Sequence, residues 1–145
     1  MNLSKTFALF GLLILIILAS CNSVNKNSSE SSDKVKFIEN FYTEYLLALN
    51  QVPMNFDSIQ NIKLKYCSKD LLEKFETNEM YHDPFINAQD FEDDIRDKLN
   101  IEIDSTDEKT IIVRYTDNYS NTDLIIELKL IEFGNTFKIN GVENN

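Results

Sequence analysis

The stretch TDLIIELKLIEFGNTFKIN, residues 122–140, settles the fold class. Leu124, Ile126, Leu128 and Leu130 alternate with mainly polar neighbours, the period of a strand with one buried face. Gly134-Asn135 then matches a two-residue type II′ turn, which wants glycine at its first central position, and Phe137/Ile139 resume the alternation. Earlier in the chain the same period runs through Ile111/Val113/Tyr115 and Ile101/Ile103. Four such runs in succession predict an antiparallel meander.

Before residue 100 the period changes. Ile38, Phe41, Tyr42, Tyr45, Leu46 and Leu49 follow helical spacing and predict an amphipathic helix. Its N-cap falls around Ser32 or Asp33, and it finishes before Pro53. Ser68 is the expected N-cap of a second helix carrying Leu71, Leu72 and Phe75. Residues 57–66 between them fit a helix through Ile59, Ile62 and Tyr66, or a strand through Ile62, Leu64 and Tyr66. The nearby Ser68 cap favours the short helix. Helices followed by strands give an α+β domain with its N-terminal helices packed on a four-stranded antiparallel sheet.

A chain of 145 residues carries one such domain. Its net charge of −10 argues against nucleic acid, which is met by a basic patch. The apolar residues are unevenly spread. Met1–Lys5 holds one positive charge, and Phe7–Leu18 is apolar except for Gly11. That is the layout of a secretory signal, too short to span a bilayer's hydrocarbon core of ~30 Å. Residues 1–20 therefore read as signal, 21–32 as a polar tether of mostly Asn, Ser and Lys, and 33–145 as the globular domain.

Leu18-Ala19-Ser20-Cys21 resembles the lipobox of bacterial lipoproteins. The resemblance implies cleavage before Cys21 and acylation of that residue, so that two or three acyl chains fix the protein durably to a membrane. No acidic cluster follows Cys21, and a periplasm-facing position in the cell envelope is expected. Cys67 is then the single remaining thiol, expected to be a small buried hydrophobe.

Motifs that carry catalysis are missing from the sequence. It holds no glycine-rich phosphate loop, no G-x-S-x-G elbow, no H-E-x-x-H and no C-x-x-C. His82 beside Asp83 is the one candidate for acid–base work, and sequence neighbours on an extended segment point apart. The acids Asp90, Glu92, Asp93, Asp94 and Asp97 lack calcium-loop spacing and fit the solvated side of a helix over 90–99, with Phe91, Ile95 and Leu99 buried. Neither a metal nor a cofactor is expected. Tyr42, Tyr45 and Tyr66 either fill the core or line a pocket between helices and sheet.

Three segments together resemble a family of envelope lipoproteins of the YbjP/YqhG type. They are Phe41-Tyr42-Thr43-Glu44-Tyr45-Leu46, Ser68-Lys69-Asp70-Leu71-Leu72 and Asp83-Pro84-Phe85-Ile86-Asn87-Ala88-Gln89-Asp90, with a closing Phe137–Val142 strand where the family often carries tryptophan at the Phe137 position. The resemblance implies a curved, cone-like α+β fold similar to nuclear transport factor two; the family offers no established activity and no agreed catalytic residues to carry over. Around the octet, Tyr81, His82, Asp83, Gln89 and Asp90 are candidate ligand-contacting or loop-locking residues, Asp90 also as a helix N-cap.

The expected function is a noncatalytic binding module, lipid-anchored in the envelope and meeting a small molecule or an envelope protein. The alternatives are an inhibitor or immunity protein against a basic wall-active enzyme, and an enzyme built on His82 with nearby carboxylates.

Overall fold

The computed structural model describes residues 29–77, 82–87, 95–118 and 120–144. The chain divides into two compact units, Met1–Asp33 and Lys34–Asn145. Of the first, only the helical residues 29–33 are described.

Helix α1 covers 29–49. It is under way at Ser29, earlier than the expected cap at Ser32 or Asp33, so residues 29–32 of the expected tether are helical. Ser-Glu-Ser-Ser contains no proline or glycine to stop a helix. Ile38, Phe41, Tyr42, Tyr45 and Leu46 are all buried, as their spacing requires. The helix closes with Asn50 N–H donating to the Leu46 carbonyl at 3.0 Å, before Pro53.

Helix α2, Phe56–Tyr66, resolves the ambiguous stretch as helix. Asn55 caps it, its side-chain oxygen accepting from Ser58 N–H at 3.1 Å. Helix α3, Lys69–Thr77, begins at the expected cap, with Leu71 N–H donating to Ser68 Oγ at 3.1 Å. A short helix α4 follows, Ile95–Lys98. Ile95 in it is buried and Leu99 half-buried, while Phe91 and the acids Asp90, Glu92, Asp93 and Asp94 lie outside the described residues.

Four strands complete the unit: β1 (Asn100–Ile103), β2 (Thr110–Asp117), β3 (Thr122–Phe133) and β4 (Thr136–Asn144). They form one antiparallel sheet in the order β1-β2-β3-β4. Between Phe133 and its partner Thr136, Gly134 takes φ +62°, the left-handed conformation that the first position of a type II′ turn requires. In β4 the register shifts opposite Lys129/Leu130, which face Gly141 and Ile139, so Asn140 bulges out of the ladder. Asn140 Oδ1 accepts from Ser68 Oγ at 2.7 Å, and Ser68 N–H donates to the Ile139 carbonyl at 2.8 Å. The α2–α3 junction thereby covers the edge of β4, a position that otherwise invites strand pairing with another chain.

One sheet face is packed. Ile111, Val113, Ile126, Leu128 and Ile139 are fully buried and join Ile38, Phe41, Tyr45 and Phe85 in a single core. At about 1.5–3 kcal/mol for burying each large apolar side chain, this cluster supplies the main favourable term of folding. On the opposite face charged and polar side chains pair across strands: Arg114 with Glu102, Lys129 with Glu143, and Thr116 Oγ with Asp123 at 2.7 Å.

Candidate functional site

The segment 82–87 begins the octet singled out in the sequence, and tyrosines hold it from two elements. Tyr42 on α1 donates to the Phe85 carbonyl at 2.8 Å. One turn later, Tyr45 donates to Asp83 Oδ2 at 2.5 Å. From β2, Tyr115 donates to the Ile86 carbonyl. Asp83 uses its other oxygen, Oδ1, to accept Phe85 N–H at 2.8 Å, an Asx turn that bends the chain after Pro84. Asn87 closes the segment at φ 49°, a left-handed conformation that asparagine tolerates better than most residues.

These bonds fix the chemistry of the phenols. Burial, reinforced by the Asp83 carboxylate, pushes Tyr42 and Tyr45 well above the ordinary phenol range. Burial, with Asp117 and Asp83, raises Tyr115 to about 12. All three are protonated donors at neutral pH, committed to the backbone and carboxylate of one loop. Phe41 and Phe85 pack edge-to-face at 4.9 Å, with Phe75 at 5.6 Å from Phe85. Lys63 lies 5.7–5.9 Å from the ring centroids of Tyr45, Phe75 and Phe85. The space between helices and sheet that Tyr42 and Tyr45 were candidates to line is occupied by these rings.

Tyr66 serves a different group. Its hydroxyl donates to Glu44 Oε1 at 2.8 Å, and Lys65 Nζ reaches the same carboxylate at 2.7 and 2.9 Å. Hydrogen bonds from Lys65 and then Tyr66 hold Glu44 below the usual carboxylate range, and burial raises the Tyr66 phenol. This trio clamps α1 to α2.

The candidates for acid–base and nucleophilic work are dispersed. His82 is exposed, its Nε2 3.5 Å from Asn144 Nδ2, while the Asp83 carboxylate is engaged with Tyr45 and Phe85. Cys67 is buried at the end of α2, and desolvation pushes its thiol up to about 12, far from the thiolate a nucleophile needs. Among the described residues no three His, Cys, Asp or Glu side chains gather as a metal site. Cys21, Tyr81, Gln89 and Asp90 lie outside the described residues.

An open cleft of about 500 Å³ lies elsewhere, beside the first residue of β1. Strand β1 pairs only with Ile111–Arg114, so β2 continues through Tyr115, Thr116 and Asp117 with no β1 partner. Lys98, Asn100, Arg114, Thr116, Asp123 and Ile125 line the concave surface left there. Two cations, a carboxylate, an amide, a hydroxyl and an apolar side chain are thus presented together, with Arg114 paired to Glu102 and Thr116 to Asp123. None of these residues was a sequence candidate. The available signal was the polar half of the alternation in β2 and β3, which marks an outward face without marking a hollow.

The chain matches no protein-family model, no curated protein and no solved structure.

Proposed function

We propose that this protein is a noncatalytic binding module of the bacterial cell envelope, anchored by acyl chains on Cys21 and facing the periplasm. The observation that carries the binding role is the cleft at the start of β1, where Lys98 and Arg114 stand beside Asn100, Thr116, Asp123 and Ile125. Cations beside a carboxylate, neutral polar groups and an apolar side chain suit a small polar molecule bearing charge, or a charged segment of an envelope protein. Supporting the noncatalytic role, the phenols and the thiol are held protonated and three of the hydroxyls are spent on one loop. The anchor rests on Leu18-Ala19-Ser20-Cys21 and the apolar run before it.

Membrane fractionation tests the anchor. Cys21→Ser moves the protein from the membrane to the soluble fraction; continued membrane association contradicts acylation at that residue.

A second reading is favoured by the net charge of −10: inhibition of a basic wall-active enzyme, for which complementary charge speeds encounter. Capture from envelope extract at low and high salt separates the two. A basic enzyme released by salt supports inhibition, whereas a salt-resistant small-molecule mass supports the cleft.

A further inference from the structure

We propose that one end of the globular unit, formed by Leu64, Ile131, Phe133 and Lys138, rests in the headgroup layer of the same anionic bilayer that holds the acyl chains. The proposal rests on the lipid-anchor reading and adds an orientation to it. Phe133, Leu64 and Ile131 are large apolar side chains left 59%, 54% and 40% exposed. Lys138 joins them into one patch. It pairs with Ile131 across the hairpin, lies 5.4 Å from the Phe133 ring centroid, and donates to the Leu64 and Lys65 carbonyls at 3.0 and 2.6 Å. Apolar side chains around a lysine suit a membrane interface, where the hydrocarbon enters the acyl boundary and the ammonium stays among phosphates.

Chain connectivity selects this end. Beside the patch, Phe137 of β4 meets Phe37 at 5.9 Å and the Lys34 ammonium at 6.0 Å, and Phe37 meets Tyr66 at 5.2 Å. The patch therefore adjoins the point where the chain enters the globular unit, and Cys21 is only a dozen residues before Lys34. The other exposed large apolar side chains among the described residues, Leu47, Val52, Met54 and Phe56, lie in or after the last turn of α1, about 24 Å from Lys34 along 34–49 at 1.5 Å per residue. Phe56 is about 12 Å from Leu64 along α2 at the same rise.

Charge selects the same end. From Ser58 to Lys69 the chain carries three lysines and no carboxylate, within a protein of net charge −10, while Glu44 pairs with Lys65 and Glu132 lies between Ile131 and Phe133. An acidic protein tied to an anionic surface is repelled least through its least acidic side.

The absence of tryptophan supplies the test. Lipidated protein carrying Phe133→Trp, or Phe56→Trp as the far-end control, is reconstituted into phosphatidylethanolamine–phosphatidylglycerol vesicles with and without brominated lipid. Flotation with the vesicles reads the anchor first. The proposal expects the Phe133→Trp emission to shift to the blue and to be largely lost with brominated lipid, while Phe56→Trp emission is unchanged. Leu64→Trp repeats the measurement from the helix side should the hairpin substitution disturb folding. Floating protein with no quenching at either patch position, or equal quenching at Phe56→Trp, overturns the orientation and leaves the anchor standing. A blue shift without lipid quenching, growing with protein density, assigns the patch to a second copy and also overturns the proposal. Failure to float overturns the anchor reading and the proposal together.

Discussion

The two faces of the sheet divide the work of the molecule. Ile111, Val113 and Tyr115 of β2 point into a core of aromatic rings, where each phenol hydrogen is assigned to a loop atom or a carboxylate. Arg114 and Thr116, one residue out of step, point the other way, into cross-strand pairs and an open cleft. Strand periodicity thus places the packed side chains and those of the proposed recognition surface on adjacent residues of the same strand. Substitutions separate the two only if the division is real.

The largest expected effect comes from alkali, which acts on the packed face alone. Tyr42, Tyr45, Tyr115 and Cys67 all have their ionisation raised by burial. Above the unfolded values, about 8.5 for cysteine and about 10 for tyrosine, the unfolded chain loses protons that the folded chain keeps. Stability is therefore fully present below pH about 8.5 and falls as pH rises toward about 12. Thermal melting across that window checks it; a flat profile would show these groups to be solvated.

Next in size is Phe41→Ala. Its ring meets Tyr42, Tyr45, Tyr66 and Phe85, and its loss costs about 3–5 kcal/mol in chemical denaturation. Smaller, and more specific to the loop, are Tyr45→Phe and Asp83→Asn. Each costs about 1–3 kcal/mol, and the double variant costs less than their sum because both remove one hydrogen bond. Strict additivity would place the two groups in separate environments.

Much of this division could be read in the sequence. Alternation in 122–140 gave the strands and their buried side, and the stripe from Ile38 to Leu49 gave the buried side of α1. Ser68 was legible as a cap because its role is local. Its second partner, Asn140, was not, since a bulge 72 residues away brings it into reach. The same limit applies to Tyr115: periodicity places it inward, while only tertiary packing brings its hydroxyl to Ile86. The cleft was hidden for a third reason. It arises from β1 ending short of β2, a property of register that no single strand's pattern contains.

On the outer face the expected effect on stability is the smallest. Arg114→Ala removes an exposed ion pair with Glu102 and shifts stability by at most about 1 kcal/mol. A larger loss would mean that the outer face also carries the fold.

The central claim, that the outer cleft is the binding surface while the phenols of the packed face are committed to structure, is tested most directly by Thr116→Arg. The lipidated protein and this variant are extracted gently from membranes, melted, and compared by native mass spectrometry. Equal melting temperatures, with a bound small molecule or envelope protein on the wild-type chain and none on the variant, are the predicted result. The same bound mass on both chains, or none on either, contradicts it.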